Sequence, residues 1–218
     1  MSSTSELASR LYSAIVMHGR KPRPPNTIFV TEAVTCLRRG FFNILWSADP
    51  AVSSPKAIFG KLVHIALPEV LKEAFQGAEF EVQCLYPLTD VWVLAGRADM
   101  VYNNEVFEFK FTSMHNRAMP IYYMQANCYA VMLDLPRFHV VIIDRGKMRV
   151  EVVSGEASKS DFERIAEKAK ELVAAVESGK PPHGPELEWL CDNCPYRPVC
   201  FGEYVLRRER EVKEGGEG

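Results

Sequence analysis

The feature that most limits what this chain can fold into is a succession of three segments rich in Val, Phe, Tyr and Trp, at 79–85, 91–102 and 105–112, with only short turns between them. Such residues favour a pleated, half-buried surface, and short turns between runs of this kind join antiparallel neighbours. Asn103-Asn104 is the tightest connection, and asparagine tolerates the positive φ that a two-residue hairpin loop requires. That loop sets facing residues at numbers summing to 207, so Asp99 faces Glu108 and Arg97 faces Lys110. Side chains alternate along a strand, which places all four on one face. Two carboxylates about 5 Å apart at their Cβ atoms repel unless positive charge lies between them. A hard divalent cation, Mg²⁺ or Mn²⁺, is the natural bridge; it lowers the pKa of a bound water and offsets charge on a phosphate. Lys110 is then placed to hold the water or steady an oxyanion. The bland alternative is a solvated charged face. Val106, Phe107, Phe109 and Phe111 weigh against it, because they make this strand buried and a buried Glu and Lys need partners.

Around these strands the helical signals fall into order. Leu7, Leu11, Ala14 and Ile15 share a helix face, and the run K-P-R-P-P at 21–25 ends it. Thr31 is a candidate N-cap for a helix through Leu45 that carries Cys36. Ser54-Pro55 starts another, with Ile58, Leu62, Ile65 and Ala66 as its stripe, His64 riding on it, and an end near Phe75. A helix over 119–133, strands over 138–143 and 148–153, and an amphipathic helix over 161–178 follow. The expected class is α/β, with a mixed sheet flanked by helices. The expected divisions are 1–53 as an N-terminal helical region, 54–178 as the core, and 179–218 as a cysteine-rich region ending in a charged tail from Arg207 to Gly218.

Composition excludes several classes. With 47% hydrophobic and 25% charged residues among 218, the chain is an ordinary globular one, and no apolar run approaches the roughly 18 residues of a membrane span. No basic-then-apolar leader stands at 1–10, so a cytoplasmic location is expected. A net charge of −2 rules out holding nucleic acid by bulk electrostatics. Local basic spots remain at Lys21, Arg23, Arg38, Arg39, Lys56 and Lys61, and Tyr122 and Tyr123 are candidates for stacking on unpaired bases.

Six cysteines in a reducing compartment read as metal ligands or small core residues rather than disulfides. Cys191, Cys194 and Cys200 have the spacing C-x2-C-x5-C, stiffened by Pro195 and Pro198, which points to metal. A fourth ligand is absent locally; Cys36, Cys84, Cys128 and His183 are candidates, with Cys84 on a strand and Cys128 on a helix reading as buried thiols. Zinc and an iron-sulfur cluster both suit four thiolates.

G-R-A-D-M at 96–100 followed by E-F-K at 108–110 resembles motifs II and III of the PD-(D/E)xK nucleases. His64 in G-K-L-V-H is similar to the extra metal-ligand histidine of the RecB-like branch, and Gln125 with Tyr129 to its Q-x-x-x-Y motif, all in that family's sequence order. Cys36 resembles the isolated N-terminal cysteine of the iron-sulfur members. The pattern over about 30–201 is thus similar to the CRISPR-associated RecB-like iron-sulfur exonucleases. The resemblance implies a restriction-endonuclease-like fold and metal-dependent cleavage of DNA, commonly at single-stranded ends, during spacer-precursor processing with the adaptation integrase. It implies that His64, Asp99, Glu108 and the Phe109 carbonyl hold Mg²⁺ or Mn²⁺, that Lys110 acts on water, and that Gln125 and Tyr129 contact DNA. It also implies that Cys36, Cys191, Cys194 and Cys200 hold an iron-sulfur cluster, 4Fe-4S rather than 2Fe-2S. Ile65 departs from the Glu that many relatives carry after the histidine. The same chemistry would serve a general repair nuclease, and a non-catalytic zinc or iron-sulfur module that binds a partner or senses redox state is the reading from another class.

Overall fold

The computed structural model describes residues 4–17, 22–46, 55–112, 115–144, 146–147, 149–185 and 187–201. Ser54, Lys21, Met148 and the tail at 207–218 lie outside the described residues, as do the side chains of Lys56 and Lys61. The elements run α1 (Thr4–Met17), β1 (Thr27–Phe29), α2 (Val30–Ala33), α3 (Leu37–Trp46), α4 (Pro55–Leu71), β2 (Glu79–Pro87), β3 (Val93–Tyr102), β4 (Glu105–Phe111), α5 (His115–Met132), β5 (Arg137–Asp144), β6 (Arg149–Glu156), α6 (Lys159–Ser178) and α7 (Arg197–Cys200), with a 3₁₀ turn at Glu188–Asn193 before α7.

The mixed sheet is flanked by helices, as the residue pattern predicts. β3 runs antiparallel to β2 and β4, β5 is parallel to β4, and β6 returns antiparallel to β5. The β4–β5 crossover is α5, the connection a parallel pair needs. Asn103 and Asn104 adopt φ of 51° and 61°, the left-handed pair a two-residue hairpin requires. The resulting register pairs Met100 with Phe107, Val101 with Val106, and Tyr102 with Glu105, as counted from the turn.

One strand escaped the sequence pattern. Thr27–Phe29 pairs in parallel with 93–95 of β3. Three residues after a proline run give no periodicity to read. The expected single helix from Thr31 through Leu45 is likewise divided into α2 and α3, and Cys36 stands in the break between them rather than on a helix.

The helices cover unequal parts of the sheet. α5, α6 and α3 enclose the larger core, with Phe138, Leu94, Ile142 and Leu172 inaccessible to solvent. α6 is set by the Ser158 hydroxyl, which accepts from the Asp161 N–H, and by Gly179 in a left-handed C-cap. Asn127 on α5 clamps the same cap, its amide bonding both the N–H and the carbonyl of Ser158. On the opposite face, Leu67 and Leu71 of α4 pack on a smaller cluster of Met100, Phe109 and Val141. Among the described residues no helix is long and apolar enough to cross a membrane.

Candidate active site and cysteine corner

The edge of β3 facing β4 is divided. Residues 93–95 pair with β1 and 100–102 with β4, leaving 96–99 in a gap between the two. In that gap the strand shifts faces. Ala98 packs in the α5-side core, Met100 packs on the α4 side, and Val101 is again on the α5 side, so strict alternation fails at Asp99. β2 shifts with it: Phe80 lies on the α4 side and Val82 on the other. Glu81 between them has φ of 56°, a conformation uncommon outside glycine. Local irregularities of this kind re-aim side chains near functional sites.

This shift corrects one expectation. Arg97 does not share a face with Lys110. Its guanidinium ion-pairs with Glu81 at 2.7 Å, and its side chain is 58% exposed. Asp99, at the shift itself, reaches across the gap. Its Oδ2 accepts the Phe109 N–H at 2.8 Å, and its Oδ1 lies 3.1 Å from His64 Nδ1 on α4. The Phe109 peptide is therefore beside the Asp99 carboxylate, while the Phe109 ring packs on the α4 side.

On β4, Glu108 and Lys110 point toward α5. Glu108 is 2% exposed; its Oε1 accepts from Lys110 Nζ at 2.6 Å and from Gln125 Nε2 at 2.8 Å. Lys110 Nζ also donates to Gln125 Oε1 at 3.0 Å, and Gln125 Nε2 donates to the Tyr129 hydroxyl at 2.8 Å. Gln125 and Tyr129 are buried. Their polar atoms are engaged with Glu108, Lys110 and each other, as the low-dielectric interior demands of buried polar groups. Sequence reading missed the part played by Gly96. A Cβ there would meet the Tyr129 ring at 2.4 Å and Cys84 Sγ at 2.8 Å, so only glycine lets this ring lie on β3. A strand glycine paired with a helix aromatic was the available signal.

Charge in the pocket is balanced by burial against neighbours. Burial pushes the Glu108 carboxyl up to about 7, against the pull of Lys110. Burial disfavours the Lys110 ammonium, but the Glu108 and Asp99 carboxylates outweigh it and shift Lys110 upward. His64 follows the same logic: burial opposes its cation, and the hydrogen bond to Asp99 prevails.

No three of the described His, Cys, Asp and Glu side chains, His64, Asp99 and Glu108 included, stand at metal-holding geometry, so the case for a cation here rests on one observation. Glu108 Oε2 is buried without a hydrogen-bond partner. An unpaired buried carboxylate oxygen is costly unless something positive meets it. The carboxylate oxygens of Asp99 and Glu108 suit Mg²⁺ or Mn²⁺, and an imidazole nitrogen such as that of His64 favours Mn²⁺ of the two.

The second cluster forms where the break between α2 and α3 meets the segment at 185–201. Cys36, Cys191, Cys194 and Cys200 line one small cavity together with Arg39 and Arg197. The free space is about 10 Å³, and among the described residues no three His, Cys, Asp or Glu side chains stand at metal-holding geometry. Their mutual proximity is nonetheless felt. Burial first, then the neighbouring Cys36, Cys194 and Cys200, raise the Cys191 thiol. Burial likewise raises Cys200, opposed by Arg38 and reinforced by Cys36 and Cys194. Four soft donors around one cavity, two of them held protonated by burial and by their neighbours, are a donor set a thiophilic metal relieves. Tyr196 anchors the corner, 5.5 Å from the Phe42 ring and 5.9 Å from Trp46. Cys84 and Cys128 stay apart from it in the core, where burial pushes both thiols up to about 12. His183 lines a separate open groove with Arg38.

Residues 38–201 match the model of the PD-(D/E)XK nuclease superfamily, so the chain belongs to that superfamily and is a nuclease by class. Among curated proteins, it is 28% identical over 187 residues to the CRISPR-associated exonuclease Cas4 of Saccharolobus solfataricus, covering 80% of this chain and 87% of that one. The crystal structure of SSO0001 superposes with a TM-score of 0.72 at 26% identity, over 89% of this chain and 96% of that one. The alkaline exonuclease LHK-Exo of Laribacter hongkongensis shares the fold, with a TM-score of 0.52 at 11% identity over 78% of this chain and 93% of its own.

Proposed function

We propose that this nuclease is a divalent-metal-dependent DNA exonuclease that trims single-stranded ends, acting in CRISPR adaptation on spacer precursors beside the integrase. The observation that carries the chemistry is the Glu108 carboxylate, bound on one oxygen by Lys110 and Gln125 and left with a buried, unpartnered second oxygen. The biological setting is supported by similarity over most of the chain to a protein named a CRISPR-associated exonuclease.

His64, Asp99 and Glu108 would hold Mg²⁺ or Mn²⁺, with the Phe109 carbonyl as a further ligand. When bound, the ion supplies a more acidic water and offsets charge on the scissile phosphate. Lys110 keeps its ammonium beside Glu108, where it orients the attacking water or donates to the developing oxyanion. Gln125 fixes Lys110 and Glu108 relative to one another, and Tyr129 fixes Gln125. Cys36, Cys191, Cys194 and Cys200 would hold an iron-sulfur cluster of the 4Fe-4S type. That cluster would act chiefly as a staple between chain positions more than 150 residues apart. By analogy with covalent crosslinks closing loops of that size, it contributes on the order of 4 to 5 kcal/mol.

The test is anaerobic purification with an absorbance spectrum and iron and zinc analysis, followed by digestion of end-labelled single-stranded DNA with Mn²⁺ or Mg²⁺ on the same sample. A coloured, iron-containing protein that shortens DNA from its ends only with divalent metal is expected. Zinc in place of iron would overturn the cluster assignment, and cleavage unaffected by chelation would overturn the metal chemistry.

A further inference from the structure

The Lys110 ammonium has one neighbour that the hydrogen-bond array does not include. The Tyr122 ring lies with its centroid 5.0 Å from Lys110 Nζ, within the range at which a cation is drawn to an aromatic face. Tyr122 precedes Gln125 by three positions on α5, and Tyr129 follows Gln125 by four. That spacing lines one face of the helix with tyrosine, glutamine and tyrosine. An ammonium has three donor hydrogens. Glu108 Oε1 and Gln125 Oε1 take two of them, and the ring occupies a further side of the group. The Lys110 side chain is 17% exposed, so the nitrogen is enclosed but not sealed.

We infer that Tyr122 is a positioning residue for the nuclease reaction: its ring face holds the Lys110 ammonium so that its remaining donor points out of the pocket toward the reacting phosphate. Lysine is a point charge on a flexible four-carbon stem, and holding it in one rotamer costs conformational entropy. Two hydrogen bonds fix the distance of Nζ from Glu108 and Gln125 but leave it free to swing about the line joining those acceptors. The ring blocks that swing and favours the charged form lying against it. This role differs from stacking on an unpaired base, the part a tyrosine near a nuclease site would otherwise be given, because a ring turned toward Lys110 acts on catalysis and not on the grip on DNA.

The inference rests on the proposed nuclease chemistry, and its test separates the two. Full-length protein with its metals is compared as wild type, Tyr122→Phe, Tyr122→Leu and Lys110→Ala, with kcat and KM measured on single-stranded DNA. Tyr122→Phe keeps the ring face, whereas Tyr122→Leu keeps apolar bulk and loses it. The expected result is a kcat roughly tenfold lower for Tyr122→Leu with KM unchanged, and a kcat for Tyr122→Phe within about twofold of wild type. A second readout needs no activity. The Lys110 ε-methylene protons, one bond from the Nζ that faces the ring, should resonate upfield in wild type and Tyr122→Phe and return to the ordinary position in Tyr122→Leu. A raised KM with unchanged kcat in Tyr122→Leu would move the ring onto the DNA and overturn the inference, as would a Phe variant as impaired as the Leu variant. If wild type cleaves nothing, or Lys110→Ala cleaves as wild type does, the nuclease chemistry falls. The positioning role falls with it, and the upfield shift then reports only where the ring lies.

Discussion

In the strand gap, the bonds among Glu108, Lys110, Gln125 and Tyr129 join side chains rooted in β4 and α5, so the array is set as soon as sheet and helix dock. At the cysteine corner, one thiol comes from a break between two helices and three from a 3₁₀ turn, the residue that caps it and a single helical turn, segments that pair with no strand. There the fixed point is Tyr196 against Phe42, and burial, with the neighbouring thiols adding to it, raises Cys191. The difference teaches how each site depends on metal. The first is shaped by the fold before any cation arrives; on the proposed reading the second would depend on a metal to hold its parts in register.

Four measurements would break or sharpen that contrast. The largest effect is expected from removing the pocket's charges. Lys110→Ala or Glu108→Gln should each lower DNA cleavage by about 10² to 10⁴-fold while the circular dichroism spectrum and iron content stay at wild-type values. Loss of the fold in both variants would mean that the array is structural. Next, Cys191→Ser should abolish cluster assembly and open 187–201 to protease, leaving a protected fragment that contains the sheet and α6. Global unfolding on loss of one thiol would show that the two regions are not independent.

Gly96→Ala should destabilise by about 1 to 3 kcal/mol in thermal or urea unfolding, because the new methyl meets a tyrosine ring on one side and a sulfur on the other. Shortening the ring's neighbour in the double variant Cys84→Ala/Gly96→Ala should recover part of that loss.

The smallest effect concerns pH in metal-free protein. Glu108 and His64 both bind protons more tightly folded than unfolded. Stability from those protons is therefore present at low pH and declines as pH rises from about 4.5 through about 7. Glu108→Gln should flatten most of that slope, and added Mn²⁺ should reverse it, since the metal needs the ionised carboxylate. A slope unchanged in Glu108→Gln would place its origin elsewhere.

Much of the fold was legible in residue order, for identifiable reasons. The Asn103-Asn104 turn demands positive φ at both positions, so the hairpin register follows from the position of the turn alone, and 100–102 pair as counted. The count failed further from the turn. The face shift at Glu81 and Asp99 breaks the two-residue period on which the placement of Arg97 depended, and a period cannot show where it is interrupted. α6 announced itself through its apolar stripe, while its Ser158 cap, which starts it two residues earlier than read, emerges only from the structure. β1 did not, because three residues in parallel contact with a distant strand leave no local pattern. The C-x2-C-x5-C spacing marked three thiols, but the arrival of Cys36 beside them depends on α3 and Tyr196 packing together, which is a tertiary fact.

The proposed chemistry depends most directly on whether the gap between β3 and β4 takes up a hard cation. Titration of Mn²⁺ into the protein, followed by the loss of the free-ion electron paramagnetic resonance signal, measures this without DNA. Saturable uptake at a site that weakens at least about tenfold in Glu108→Gln and in Asp99→Asn, and is unaffected in Cys191→Ser, is the predicted result. Equal uptake by wild type and the two carboxylate variants would contradict it.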